Sequence, residues 1–290
     1  MRIVLFVSCI IFFSVLTITF SLYYRSSDCG GEVPNYSTGK NHMKISIIIP
    51  AHNEEERISR TLRTYHQFFN ALKQNATILD FNLIVVLNGC TDNTSQVVKE
   101  IQNQLDTIHL IDCPQPGKGL AIKIGFEQAL TYATDWIGFV DADMATSPEE
   151  FYKLISDHDG YDGVIASRYM PGAQVYPPRP WIKRWGSKLF YESLIHLLFG
   201  LNYYDFQCGA KVFKYQVIQT ITPFLTIKQW AFDVELLYLC KKNGFKIKEF
   251  PTVWYDQAGS KLRLGAGFYM LGALIKLRLY YSPLRFMFKE

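Results

Sequence analysis

The chain alternates short apolar runs with stretches whose apolar residues recur every three or four positions. Ile45–Ile49 (ISIII) is rich in β-branched residues and stopped by Pro50, the pattern of a strand buried on both faces. Ile58, Leu62, Tyr65, Phe69 and Leu72 then follow helical spacing, and Glu54–Glu56 are expected in the first turn, where the helix dipole favours acids. Phe81–Leu87 (FNLIVVL) predicts a second strand. After it, Thr91-Asp92-Asn93-Thr94 is expected to cap a helix running through Val97, Val98, Ile101 and Leu105. A third strand is expected at 107–111, a third helix at 119–133 and a fourth strand at 136–140. This order implies βαβ units and a mostly parallel sheet with helices on both faces.

The two ends of the chain follow other patterns. Ile3–Tyr24 is 22 residues without a charge. A helix of that length reaches roughly 33 Å, enough to cross a hydrocarbon core of about 30 Å. The run closes on Tyr23-Tyr24-Arg25, an interfacial aromatic and cation pattern, so an uncleaved anchor is expected rather than a signal peptide. Residues 1–25 are thus read as a transmembrane anchor and 26–43, polar and rich in Gly, Ser and Asn, as a linker. Residues 44–263 are read as the α/β domain and 264–290 as a basic segment lying on an anionic membrane interface, the alternative being a hydrophobic core helix with a basic end. The uncharged stretch 264–275 has 12 residues, too few to span; Lys276, Arg278, Tyr280, Tyr281 and Arg285 follow it. Arg179, Lys183, Arg184 and Lys188 lie among Tyr176, Pro177, Pro178, Trp181 and Trp185, the make-up of a membrane-proximal lid.

Composition narrows the picture further. With 49% hydrophobic residues and Gly plus Pro at 31 of 290, the chain is neither disordered nor collagen-like. The net charge of +4 is too small to suggest nucleic acid as a partner, and it is concentrated in the tail after residue 259. Six cysteines stand without a C-x-x-C pair, which suggests free thiols in a reducing compartment.

In an open parallel sheet, ligands bind at the carboxyl ends of the strands. The residues there are Pro50-Ala51-His52-Asn53-Glu54, Asn88-Gly89-Cys90 and Asp141-Ala142-Asp143. Asp141 and Asp143 are two carboxylates facing one crevice, and the small Ala142 between them lets a ligand approach. Mg²⁺ and Mn²⁺ favour such oxygens and share their shell with substrate phosphates. Lys118, between two glycines at a helix start, is placed to reach a phosphate. Gln207 is a candidate pocket residue. Cys208 has no positioned His beside it and is not expected to act as a nucleophile. Asp233 is a candidate for the crevice or for a structural salt bridge, and Glu235 is expected to be exposed or paired. P-loop and dinucleotide-binding motifs are absent from the sequence.

Several stretches together resemble the inverting family 2 glycosyltransferases of the GT-A fold: IIIPAHNEEERI (48–58), NGCTDNT (88–94), GKGLAIKIGF (117–126), DADMATSPEE (141–150), ASRY (166–169), QCGAKVF (207–213), WAFDVELLYL (230–239) and WYDQAGSKL (254–262). They run in family order over about 215 residues and look most like the dolichyl-phosphate (polyprenyl-phosphate) β-glucosyltransferases and their mannosyl relatives. The resemblance implies that Pro50, His52, Glu54 and Asn88 line a nucleotide pocket and that Asp141 and Asp143 hold the metal. It also implies that Arg168 and Arg184 meet an acceptor lipid phosphate, and that Ser260 and Lys261 touch phosphates of donor or acceptor. The family usually has Asp-Asp-Gly-Ser where this chain has Leu87-Asn88-Gly89-Cys90; the change bears on base preference, not on reaction class.

The expected activity is therefore metal-dependent transfer of a hexose, glucose from UDP-glucose first, to a polyisoprenyl phosphate with inversion. Transfer from GDP-mannose and an inactive membrane-bound sugar-nucleotide binder are the rivals. Polysaccharide synthesis would call for several spans and a Q-x-x-R-W motif, neither of which is found. The expected location is a membrane with the catalytic domain on the cytoplasmic side: the endoplasmic reticulum in a eukaryote, the inner membrane in a bacterium.

Overall fold

The computed structural model describes residues 43–178, 191–229, 231–256 and 266–282. Nine strands are described: β1 (Lys44–Ala51), β2 (Asp80–Asn88), β3 (Ile108–Cys113), β4 (Trp136–Phe139), β5 (Gly163–Ser167), β6 (Gln174–Tyr176), β7 (Lys211–Lys214), β8 (Ile247–Pro251) and β9 (Val253–Tyr255). Seven of them form one sheet in the order β3-β2-β1-β4-β7-β5-β8; β6 and β9 form a separate parallel ribbon. All pairings in the large sheet are parallel except those of β7, which runs antiparallel between β4 and β5.

Both faces of the sheet are covered, as the unbroken apolar runs predict. Ile45, Ile47 and Ile49 of β1, with Leu83, Val85 and Leu87 of β2, point into one core. There they meet α1 (Ile58–Gln74), α2 (Thr94–Gln102) and α4 (Pro148–Ser156). The alternate residues Ile48, Ile84 and Val86 point into the second core, which holds α3 (Lys118–Ala129), α5 (191–199), α6 (Tyr215–Ile221) and α7 (Phe232–Lys242). Leu274 and Leu277 of α8 (Ala266–Tyr280) are buried in the same core, so part of the expected interface segment also closes the domain. Exposed Ile275 and Tyr280 lie on the outside of that helix.

Some local expectations shift. Glu54–Glu56 precede α1 instead of forming its first turn, because Glu54 O accepts from both Arg57 N and Ile58 N and closes a tight turn first. Asp92 accepts from Thr94 N at 3.0 Å, a turn within the loop that leaves α2 to begin at Thr94 and end before Leu105. Strand β3 lies one to two residues later than expected, and α3 begins at Lys118 and ends at Ala129. Among the described residues, no helix is long and apolar enough to cross a membrane. The expected anchor at 3–24, the linker up to residue 42 and the lid cations Arg179, Lys183, Arg184 and Lys188 lie outside the described residues.

Register decides where the site forms. Ile48 of β1 is opposite both Ile84 of β2 and Phe139 of β4, and all three strands run the same way. Three residues further on, the segments 51–54, 87–90 and 141–143 therefore leave the sheet at one edge. The face beneath is held by Phe69, whose ring meets those of Tyr65, Phe81 and Phe151. Replacing this buried aromatic should be expensive: Phe69→Ala is expected to lower stability by about 3–5 kcal/mol in urea unfolding.

Candidate active site

Asp141 leaves β4 one residue beyond Val140 and turns back over the loop that precedes β7. One of its oxygens pairs with Lys118 Nζ. The other lies against the backbone of Gly209, where an added Cβ would overlap the carboxylate. Asp143 Oδ1 accepts from Ala145 N at 3.0 Å, and Met144 takes a left-handed conformation (φ 62°) to make that turn. Helix α4 is capped elsewhere, by Ser147, whose Oγ accepts from Glu150 N. Asp143 therefore does not cap the helix. Helix α1 pins the loop from below: Thr61 Oγ1 donates to Ala142 O at 2.6 Å and Tyr65 OH to Thr146 O at 2.9 Å.

Burial, then repulsion from Asp141, pushes the Asp143 carboxyl above its ordinary range; the Ala145 N–H, Arg57 and Lys118 offset this only in part. The same negative field adds to burial in raising the Tyr65 phenol well above its usual value. Burial opposes the charge on Lys118, yet Asp141 and Asp233 hold its ammonium above the ordinary lysine range. Among the described residues, no group of three or more His, Cys, Asp or Glu is arranged for a metal. A pair of hard carboxylates still fits Mg²⁺ or Mn²⁺, which complete their shells with water and substrate phosphate.

On the other side of the crevice, Asn88 is a staple. Its Nδ2 donates to Ala51 O at 3.1 Å and its Oδ1 accepts from Gly117 N at 3.3 Å. An ionised Asp has no proton for the Ala51 carbonyl, so the carboxamide suits this position. His52 Nδ1 donates to Asn88 O at 2.7 Å, while Glu54 N donates to Thr94 Oγ1 at 2.8 Å and the Glu54 carboxylate pairs with Arg57. Pro50 is buried in β1. Gly117 (φ 155°) and Gly119 pass under the 225–229 loop, with Lys228 O and Ile227 O each 2.6 Å from where a Cβ would sit.

The 203–211 segment forms the third wall. Asp205 takes Arg168 in a bidentate pair (2.7 and 3.0 Å), and the guanidinium lies 5.0 Å from the Trp254 ring centre. Arg168 and Asp205 hold each other charged against burial, the base shifted well up and the acid down. Glu249 accepts from Tyr204 N and Asp205 N, both at 2.8 Å, and Gln207 N donates to Asp205 Oδ1. Fully buried Lys211 pairs with Asp233 at 2.6 Å and donates to Cys208 O at 2.7 Å. Asp233 is thus a salt-bridge partner beside the crevice. Cys208 is buried, its thiol pushed up to about 12 by that burial, which makes it inert. Cys90, Cys113, Cys208 and Cys240 are all free.

Glu235 is not exposed, and among the described residues its partners are hydrogen-bond donors and not cations. It is buried and accepts from Thr226 N, Thr226 Oγ1, Ile227 N and Tyr281 OH, which ties the 225–229 loop to the end of α8. The structure thus brings together Pro50, His52, Glu54, Asn88, Lys118, Asp141, Ala142, Asp143 and the 205–211 segment, with Arg168 alongside. Arg184, Ser260 and Lys261 lie outside the described residues. Sequence reasoning missed Asp205, Glu249 and Lys211. The signal for Lys211 was present, since a cation inside the apolar run AKVF needs a buried partner.

Comparison with known proteins bears on the family and the fold. Residues 46–222 match the sequence profile described as Glycosyl transferase family 2. A glycosyltransferase of Haloferax volcanii, AglD, is 28% identical over 77% of this chain; the matched region is 35% of AglD, so this chain spans about a third of that relative. The dolichyl-phosphate β-glucosyltransferase of Dictyostelium discoideum is 28% identical over 86% of this chain and 79% of its own. Glucosyl-3-phosphoglycerate synthase from Mycobacterium tuberculosis, solved with Mn²⁺ and UDP-glucose, superposes with a TM-score of 0.56. At 17% identity over 81% of this chain and 79% of that one, it shows a shared fold, GT-A-like with a mostly parallel sheet.

Three outcomes are expected from this geometry. Asp205→Ala strands a buried guanidinium and should cost about 3–5 kcal/mol in thermal or urea unfolding. Gly209→Ala should displace the Asp141 carboxylate and abolish activity while circular dichroism stays native. Asp143 has a raised carboxyl, so the stability it contributes is present below the unfolded carboxylate range and lost as pH rises through the folded value. Asp143→Asn should therefore raise the melting temperature of the metal-free protein at neutral pH, with the gain shrinking toward pH 4.

Proposed function

The chain belongs to glycosyl transferase family 2, and on that footing we propose that it moves glucose from UDP-glucose to the phosphate of a dolichyl-type polyisoprenyl lipid. UDP leaves, and the anomeric centre is inverted in a single displacement. The observation that carries the reading is the Asp141–Asp143 pair at the strand edge, backed by Lys118 and fitted to Gly209. The names of the relatives support the acceptor and sugar: several are dolichyl-phosphate β-glucosyltransferases.

In this reading Asp141 and Asp143 hold Mg²⁺ or Mn²⁺, which supplies charge neutralisation for the departing diphosphate. The segments 50–54 and 88, closed by Asn88 on Ala51 and Gly117, seat the nucleotide, with Gln207 across the crevice. Lys118 adds a positive charge at the start of α3, close to where the diphosphate lies. An oxygen of the lipid phosphate attacks the anomeric carbon as the bond to the diphosphate oxygen breaks. That phosphate, with a second pKa near 6, is already largely ionised at neutral pH, so no general base is required. Arg168 offers the acceptor the guanidinium donors that Asp205 does not take, and Arg184, Ser260 and Lys261 join it from the resemblance. Catalysis is then positioning and charge neutralisation. The membrane is met on the outer face of α8, where Ile275 and Tyr280 are exposed beside Lys276 and Arg278.

The test is transfer of label from UDP-glucose, GDP-mannose and UDP-GlcNAc to a short polyprenyl phosphate in detergent, with and without EDTA. Labelled lipid is expected from UDP-glucose only, with EDTA abolishing it. Asp143→Ala should lower turnover by at least about 100-fold. Labelling from GDP-mannose alone would move the donor and keep the mechanism; labelling unaffected by EDTA would overturn the metal.

A further inference from the structure

Four charges of alternating sign run through the base of the site. Lys211 pairs with Asp233, Asp233 acts on Lys118, and Lys118 pairs with Asp141. The far end is fixed: Lys211 is fully buried and spends its other contacts on Cys208 O and the face of Phe139. Lys118 differs. Its backbone is clamped between Gly117 and Gly119 beneath the 225–229 loop, whereas its side chain is about a third exposed (32%) and reaches across the crevice. It is therefore held at its root by the backbone and at its tip by Asp141, with the charge of Asp233 also acting on it.

We propose that Lys118 is a built-in counter-cation: it neutralises Asp141 while the nucleotide is away, and gives that carboxylate up when a divalent cation and a diphosphate arrive together. The reasoning rests on the metal reading above. Asp141 and Asp143 repel each other, and the second oxygen of Asp141 is packed against the backbone of Gly209 while the first is on Lys118. Without a cation on Asp141 the pair would stand as two uncompensated charges in a partly buried crevice. A divalent ion competes with Lys118 for the same carboxylate, so binding it alone breaks an ion pair. When the diphosphate binds as well, the released ammonium gains phosphate oxygens on one side and keeps Asp233 on the other. Metal and nucleotide binding are then coupled through Lys118, beyond the coupling that a shared metal–phosphate bond provides. The device would keep the site from loading metal without donor.

The test is direct Mn²⁺ binding, read by electron paramagnetic resonance of the free ion, to the full chain with and without saturating UDP. Lys118→Met and Lys118→Gln both remove the charge, and a native melting curve in either one suffices. Without UDP, both variants are expected to bind Mn²⁺ at least about tenfold more tightly than wild type. The ratio of Mn²⁺ affinities with and without UDP should fall by a similar factor. Wild-type Mn²⁺ binding with an unchanged ratio in both variants would overturn the counter-cation and leave the metal reading intact. No Mn²⁺ binding to wild type under either condition would overturn both.

Discussion

Two carboxylates that repel each other, held at the end of a buried strand, set the terms for everything around them. Helix α1 pins the loop that carries Asp141 and Asp143 through Thr61 and Tyr65, and the backbone of Gly209 lies against one side of it. Burial, and then the field of Asp141, raises Asp143; the Tyr65 phenol behind the pair is raised by its own burial first and then by Glu149 and the two aspartates. A fold that builds such a pair stores unfavourable electrostatic energy that a bound cation relieves. The neighbouring structure can be read as the means of keeping that tension in place: a lysine on one oxygen, a glycine under the other, and helix hydroxyls below.

A second tier of buried charge positions the walls. Arg168 with Asp205, Lys211 with Asp233, and Glu249 and Glu235 on backbone N–H groups are each satisfied by close partners. Buried ion pairs of this kind add little net stability over apolar residues, but they fix geometry, since any displacement strands a charge. Here they fix the 203–210 segment and the 225–229 loop, two described pieces without regular hydrogen-bonded structure beside the site. Satisfied hydrogen bonds to carboxylates do for these loops what the ladder does for the strands.

The sheet was legible because its signal is dense. ISIII and FNLIVVL admit few readings besides strands covered on both faces, and the strand ends then point to His52, Asn88 and Asp141 without further information. The walls were not legible from pattern. Asp205 and Glu249 lie 44 residues apart and meet only through the fold. Glu235 looks like any acid in a helix, and its four donors come from a loop and from Tyr281, just past the end of α8. The helix-start error at Glu54–Glu56 has a local cause: Glu54 uses its carbonyl to close a turn, which composition alone does not separate from a first helical turn, whereas the stretch 91–94 does hold the start of α2.

The reversed strand β7 has a consequence for how such a site can change over time. Asp141 and Asp143 follow β4 and Arg168 follows β5, two strands that run the same way, but β7 is antiparallel to both, so its contribution, Gln207 to Ala210, comes from the loop before it. The groups up to Asp143 and the Arg168–Asp205 wall thus lie on separate stretches of chain, and one place where the two meet is the Gly209 backbone against Asp141. Exchanges in the second stretch that keep α5 buried and Asp205 on Arg168 leave the carboxylate pair where it is. On the proposed activity, one half of the scaffold would then be free to diversify the acceptor it takes, and the other half would keep a constant way of activating the donor.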